Sequence, residues 1–153
     1  MRIDRRAFLR DGLVRVAGFL VVAASFASRA ADAARAGPGR PDALREAMKR
    51  ELGDAAPLPS TAIELDIPRI AEDGGVVPVT VESRIPGTDR VLLLVERNPV
   101  PLAAVFDFAA GTDPFVSLRI RVAESCDVLA VARSGGQYHV TRRAVRVVVG
   151  GCG

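Results

Sequence analysis

From Ile63 onwards, apolar and polar positions alternate with a period of two, in short runs broken by turn residues. Val77, Val79 and Val81 interleave with Pro78, Thr80 and Glu82, and Leu118, Ile120 and Val122 interleave with Arg119, Arg121 and Ala123. This is the spacing of a strand with one buried face. Val91-Leu92-Leu93-Leu94-Val95 is apolar on both faces, which predicts a central strand or one covered by a partner. The same reasoning puts strands at 63–67, 102–108, 116–123, 128–132, 138–142 and 144–149. Between them lie Gly74-Gly75, Pro86-Gly87-Thr88-Asp89, Asn98-Pro99, Gly111-Thr112-Asp113-Pro114 and Ser134-Gly135-Gly136, which are turn-forming residues. Seven or eight short strands with no helix between them predict an all-β fold, an immunoglobulin-like antiparallel β-sandwich.

Upstream the period changes. Leu44, Met48 and Leu52 recur at helical spacing between Pro41 and Gly53, a proline start and a glycine stop. A short amphipathic helix follows, docking one narrow stripe on a neighbour and set in a linker over 34–58. Residues 1–33 read differently again. Arg5-Arg6 precede Phe8-Leu9, a short apolar run follows, and small residues surround Ala30 and Ala33. That layout is an export signal of twin-arginine type, and cleavage after Ala30 and after Ala33 fit equally well. The apolar run is shorter than the roughly 20 residues of a membrane span and carries Arg15. The expected organisation is therefore a leader over 1–33, a linker with its helix over 34–58, a sandwich over 59–149 and a flexible arm over 150–153.

The leader also accounts for the charge. The chain carries 21 basic and 18 acidic residues, a formal +3, which on its own suggests nucleic acid or an anionic membrane. Six arginines and three aspartates lie within 1–33, so the remainder holds 15 of each sign. No nucleic acid partner is expected, and no membrane association after leader cleavage; the expected location is the periplasm.

Candidate chemistry is sparse. His139 is the one histidine, and alternation puts it on a strand face. Two cysteines and one histidine offer no four-ligand zinc spacing, and the haem-attachment, phosphate-loop, dinucleotide and nucleophile-elbow motifs are absent. No cofactor and no self-contained enzyme are expected. The cysteines remain. Cys152 sits in Gly150-Gly151-Cys152-Gly153, directly after a strand, so it rides on residues that accept almost any backbone conformation. It reads as a thiol presented rather than packed. Cys126 falls in the expected turn before the 128–132 strand, and an exported chain with two cysteines raises the question of a Cys126–Cys152 disulfide. The glycines around Cys152 favour a mobile segment, with Cys126 free.

These residues also carry a resemblance. Ile67-Pro68-Arg69-Ile70-Ala71-Glu72-Asp73-Gly74-Gly75-Val76-Val77-Pro78-Val79, Asn98 to Phe106, Ser117-Leu118-Arg119-Ile120-Arg121 and the terminal Gly-Gly-Cys-Gly resemble the SoxY family, the cysteine-bearing carrier subunits of bacterial thiosulfate oxidation. The tail lacks the last glycine of the family's Gly-Gly-Cys-Gly-Gly, and Cys126 is outside the pattern. The resemblance implies a covalent sulfur carrier, with Cys152 as the attachment point and Gly150, Gly151 and Gly153 as its arm. It implies a heterodimer with a SoxZ-type subunit. It also implies three working partners: a haem-containing loading enzyme, a manganese thiohydrolase and, in many systems, a sulfur dehydrogenase. The alternative is a periplasmic immunoglobulin-like interaction module with a structural Cys126–Cys152 disulfide.

Overall fold

The computed structural model describes residues 42–148. The leader, the first part of the linker and the Gly150–Gly153 arm with Cys152 lie outside the described residues. Helix α1 (Ala43–Leu52) is followed by nine strands: β1 (Leu58–Pro59), β2 (Ile63–Asp66), β3 (Ile70–Ala71), β4 (Val77–Ser83), β5 (Thr88–Val95), β6 (Leu102–Asp107), β7 (Phe115–Ile120), β8 (Cys126–Ser134) and β9 (Gln137–Val147). They form two sheets, the larger in the order β1-β9-β8-β5-β6 with β3 also on β9, the smaller in the order β2-β4-β7. The expected sandwich is the observed one.

Alternation decides which side chains meet. Val77, Val79 and Val81 of β4 and Ile63 and Leu65 of β2 face Val91, Leu93 and Val95 of β5 and Val128, Ala130 and Ala132 of β8 across the sandwich. The doubly apolar strand is central, between β6 and β8. Its other face, Leu92 and Leu94, packs with Leu129, Val131 and Tyr138 under α1. Leu92, Leu93 and Leu94 are fully buried, each worth about 1.5–3 kcal/mol of transfer free energy. Of the two expectations for the 91–95 strand, central or covered by a partner, the first holds, and the neighbour on which the helix docks is the domain's own larger sheet.

The helix meets the sheet through Ala43, Ala47 and Leu52, with Leu44 and Met48 half-buried at the rim. The expected stripe of Leu44, Met48 and Leu52 is rotated because small alanines let the backbone approach the sheet. Gly53 ends the helix at φ +65°, its N–H bonded to Lys49 O, and the Tyr138 hydroxyl donates to Glu51 O at 3.3 Å.

Three expectations are corrected. The strands expected at 138–142 and 144–149 are one, because the ladder from Ser134↔Gln137 to Cys126↔Val145 continues through Arg142-Arg143. Those charged residues interrupt the hydrophobic period but reach solvent, so the backbone pairing survives. Cys126 is the first residue of β8 and not part of a turn. Finally, two parallel two-residue strands, β1 and β3, share the edge of β9 that β8 leaves free, pairing at His139–Val140 and Arg146–Val147. Segments of two residues are too short to show a period.

Candidate functional site

The sequence points at Cys152, so the part of the structure that bears on it is the end of β9, the last described backbone before it. There the strand outruns its neighbour. The β8 ladder ends at Cys126↔Val145, and beyond it the Ser125 side chain takes over. Its Oγ accepts from Val147 N at 2.9 Å and lies 3.4 Å from Val147 O, to which it donates. On the opposite edge Arg146 N donates to Arg69 O at 2.8 Å and Val148 N to Ala71 O at 2.9 Å. Cys152 lies four residues beyond Val148.

A second layer holds this seat. Gly74 presses against it so closely that a Cβ there would stand 2.3 Å from Val122 O and 2.9 Å from Val147 Cγ1. Val122 N donates to Gly74 O at 2.7 Å, locking the Gly74-Gly75 turn to the strap after β7. Asn98 locks that strap in turn. Buried, it donates from Nδ2 to Arg121 O at 2.7 Å and accepts Ala123 N on Oδ1 at 2.9 Å. Asp73 accepts Gly75 N at 2.7 Å, shaping the turn. A groove of about 500 Å³ lies at the foot of β9, lined by residues of this turn, by Arg121 to Ala123 and by Val147 and Val148. Ile70, Val76 and Val148 are exposed at this end.

Charge is distributed unevenly around the seat. Arg97 pairs with Glu124 at 3.6 Å and Arg142 with Asp127 at 3.7 Å. Arg69, Arg119, Arg121, Arg143 and Arg146 have no ion pair among the described residues. Among the described residues Cys126 has no disulfide partner, and its side chain is half-buried against the sandwich core. Burial pushes its pKa up, and a hydrogen bond from the Arg97 backbone only partly offsets this. The thiol stays protonated near neutrality, and a protonated thiol is a poor nucleophile. The other half of the expected alternative disulfide, Cys152, is outside the described residues. His139 is half-buried on β9, opposite Leu58. No cluster of three metal-ligating residues occurs among the described residues, and none of their helices is long and apolar enough to cross a membrane.

Asn98 and Gly74 are read from the sequence as turn residues, and Ser125 falls in the turn expected around Cys126. The pattern offers no signal that the three converge on the end of β9.

A family model described as "Sulfur oxidation protein SoxY" matches residues 48–152, which takes in the second half of α1, both sheets, the clamp at the end of β9 and Cys152. The chain belongs to the SoxY family. The solved structure of the sulfur carrier protein SoxY from Chlorobium limicola f thiosulfatophilum is similar at 36% identity and a TM-score of 0.65, over 69% of this chain and 92% of that one. No curated protein matches. The SoxY match agrees with the fold expected from alternation, and within it the strand that leads to Cys152 is paired on both sides, with β8 on one and with β1 and β3 on the other.

Proposed function

We propose that this SoxY chain is a periplasmic, non-enzymatic sulfur carrier of thiosulfate oxidation, holding its cargo covalently on Cys152. The observation that carries this reading is a family match that runs through Cys152, next to a strand end anchored on both edges. In the loading step the Cys152 thiolate and thiosulfate together give up two electrons to a haem-containing partner, and a sulfur–sulfur bond forms. The product is a cysteine S-thiosulfonate. Water then attacks its terminal sulfur on a manganese thiohydrolase, releasing sulfate with two protons and leaving a persulfide on Cys152. A sulfur dehydrogenase, where present, oxidises that sulfur further.

The division of labour has a physical basis. Four residues extended at about 3.3 Å each reach about 13 Å beyond Val148, so the thiol enters a partner's pocket while the sandwich stays outside. Gly150, Gly151 and Gly153 carry no Cβ to collide with a narrow entrance. Ordering such an arm costs about 1–2 kcal/mol per residue at each docking event, which favours short-lived complexes with several enzymes in turn. A SoxZ-type subunit completes the carrier as a heterodimer, and the twin-arginine leader over 1–33 delivers it to the periplasm.

Intact-mass measurement tests this directly. Mature protein incubated with thiosulfate and the haem-containing loading enzyme is expected to gain a thiosulfonate adduct that Cys152→Ser lacks; an unmodified wild type overturns the carrier reading. Counting free thiols without reductant, with the species sized to exclude intermolecular disulfides, addresses the disulfide-bridged interaction module. Counted after denaturation, two free thiols per chain are expected, and none would favour the bridge.

A further inference from the structure

We infer that Ser125 is a positioning residue for the carrier arm, setting the point from which the chain toward Cys152 departs. The inference rests on the carrier reading of Cys152, but its structural ground is independent. A β-strand is held by its neighbours' backbone, and on the β8 side that support ends at Val145. Two residues further on, the Ser125 hydroxyl supplies both the acceptor for Val147 N and a donor to Val147 O, a side chain standing in for the missing rung. On the other edge the end of β9 rests on β3, which is two residues long and carries Ile70, 60% exposed. Without the hydroxyl, the backbone of the last residues of β9 is bonded on one side only, to Arg69 O and Ala71 O.

The consequence concerns tether length. With Val148 anchored, Cys152 is four residues from fixed backbone; with the end frayed back to Val145 it is seven. Effective concentration at a partner's pocket falls roughly as the three-halves power of tether length, a loss of about twofold. It falls further to the extent that the freed residues must be ordered again on docking. Gly74 supports the same seat, since a Cβ there would stand 2.9 Å from Val147 Cγ1.

The test compares wild type, Ser125→Ala and Ser125→Thr. Amide hydrogen exchange at Val147 and Val148 is expected to accelerate in Ser125→Ala and to return toward wild type in Ser125→Thr, with the core strands unchanged. Loading of Cys152 by the haem-containing enzyme and thiosulfate, followed by intact mass, is expected to slow in Ser125→Ala, by about twofold where the end frays back to Val145. Alkylation of Cys152 by iodoacetamide, which needs no docking, is expected to keep its rate. Unchanged exchange at Val147, or normal loading with Val147 freed, overturns the positioning role alone. A wild type that never loads overturns the carrier reading and the positioning role together. Should Ser125→Ala fail to fold, two glycines inserted between Gly150 and Gly151 lengthen the tether with the clamp intact, and an unchanged loading rate in that variant equally overturns the inference.

Discussion

The two ends of the β8–β9 pair are held in opposite ways. At one end the strands are joined by a turn: Gly135 and Gly136 take φ of +56° and +80°, the geometry of a tight hairpin whose twist matches its strands, and the ladder runs to its last rung, Ser134↔Gln137. Around that end the arginines are neutralised, Arg133 by Asp89 at 2.8 Å and Arg90 by Asp107 at 2.6 Å, with Arg84 beside Glu64 and Glu82. At the other end no turn joins the strands, because the chain goes on toward Cys152. There Ser125, Gly74 and Asn98 do by side-chain bonds and close contact what the hairpin does by connectivity, and five arginines carry no ion pair among the described residues. A strand that must hand its chain to a working segment needs an anchor that a closed hairpin does not.

Loss of the Asn98 side chain should perturb the open end of the pair most. Asn98→Ala removes the partners of Arg121 O and Ala123 N in a part-buried site, which is expected to cost about 1–3 kcal/mol in chemical denaturation and to speed exchange at Val147. Loss of stability without faster exchange at Val147 would show that the strap after β7 does not support the seat. Gly74→Ala comes next, at about 1–3 kcal/mol, since backbone and Val147 must both give way. It too should loosen Val147, whereas Gly136→Ala, at about 1–2 kcal/mol for a left-handed residue, should leave Val147 exchange unchanged. If all three variants changed Val147 alike, the two ends would not be independent.

The smallest effect is electrostatic. The Arg133 guanidinium beside Asp89 holds its carboxyl below the usual carboxylate range, and Arg90 does the same to Asp107. A depressed folded pKa contributes stability that is fully present above the unfolded value of about 3.9 and is lost as pH falls through the folded value. Asp89→Asn is therefore expected to cost less than about 1 kcal/mol at pH 7, because the pair is substantially solvated. The difference in Tm from wild type should begin to shrink as pH falls below about 4 and vanish once pH is below the depressed folded value. It should shrink in 1 M salt as well. A penalty that persists at low pH would mean that Asp89 acts by something other than its charge.

The sandwich was legible because its signals are local and repetitive. Val77-Pro78-Val79-Thr80-Val81 shows its buried face by alternation, and Val91 to Val95 shows by uniform apolarity that both its faces are covered. The misreadings share a cause: Arg142-Arg143 broke the period without breaking the backbone ladder, and Cys126 follows residues with turn character although it opens a strand. The helix was placed correctly, but its buried stripe depended on how near alanine lets it come to a sheet it does not neighbour in sequence.

By itself the sequence determined the fold class, the family resemblance and the candidate cysteine, since each is written in periodicity or in a contiguous motif. Only the tertiary structure decided how the strand that leads to Cys152 is held. Ser125 lies 22 residues from Val147, Gly74 is distant from both, and Asn98 acts through a strap 23 to 25 residues away. Hydrogen bonds and close contacts across such separations depend on where the folded backbone places each group, and a pattern read along the chain carries no record of them.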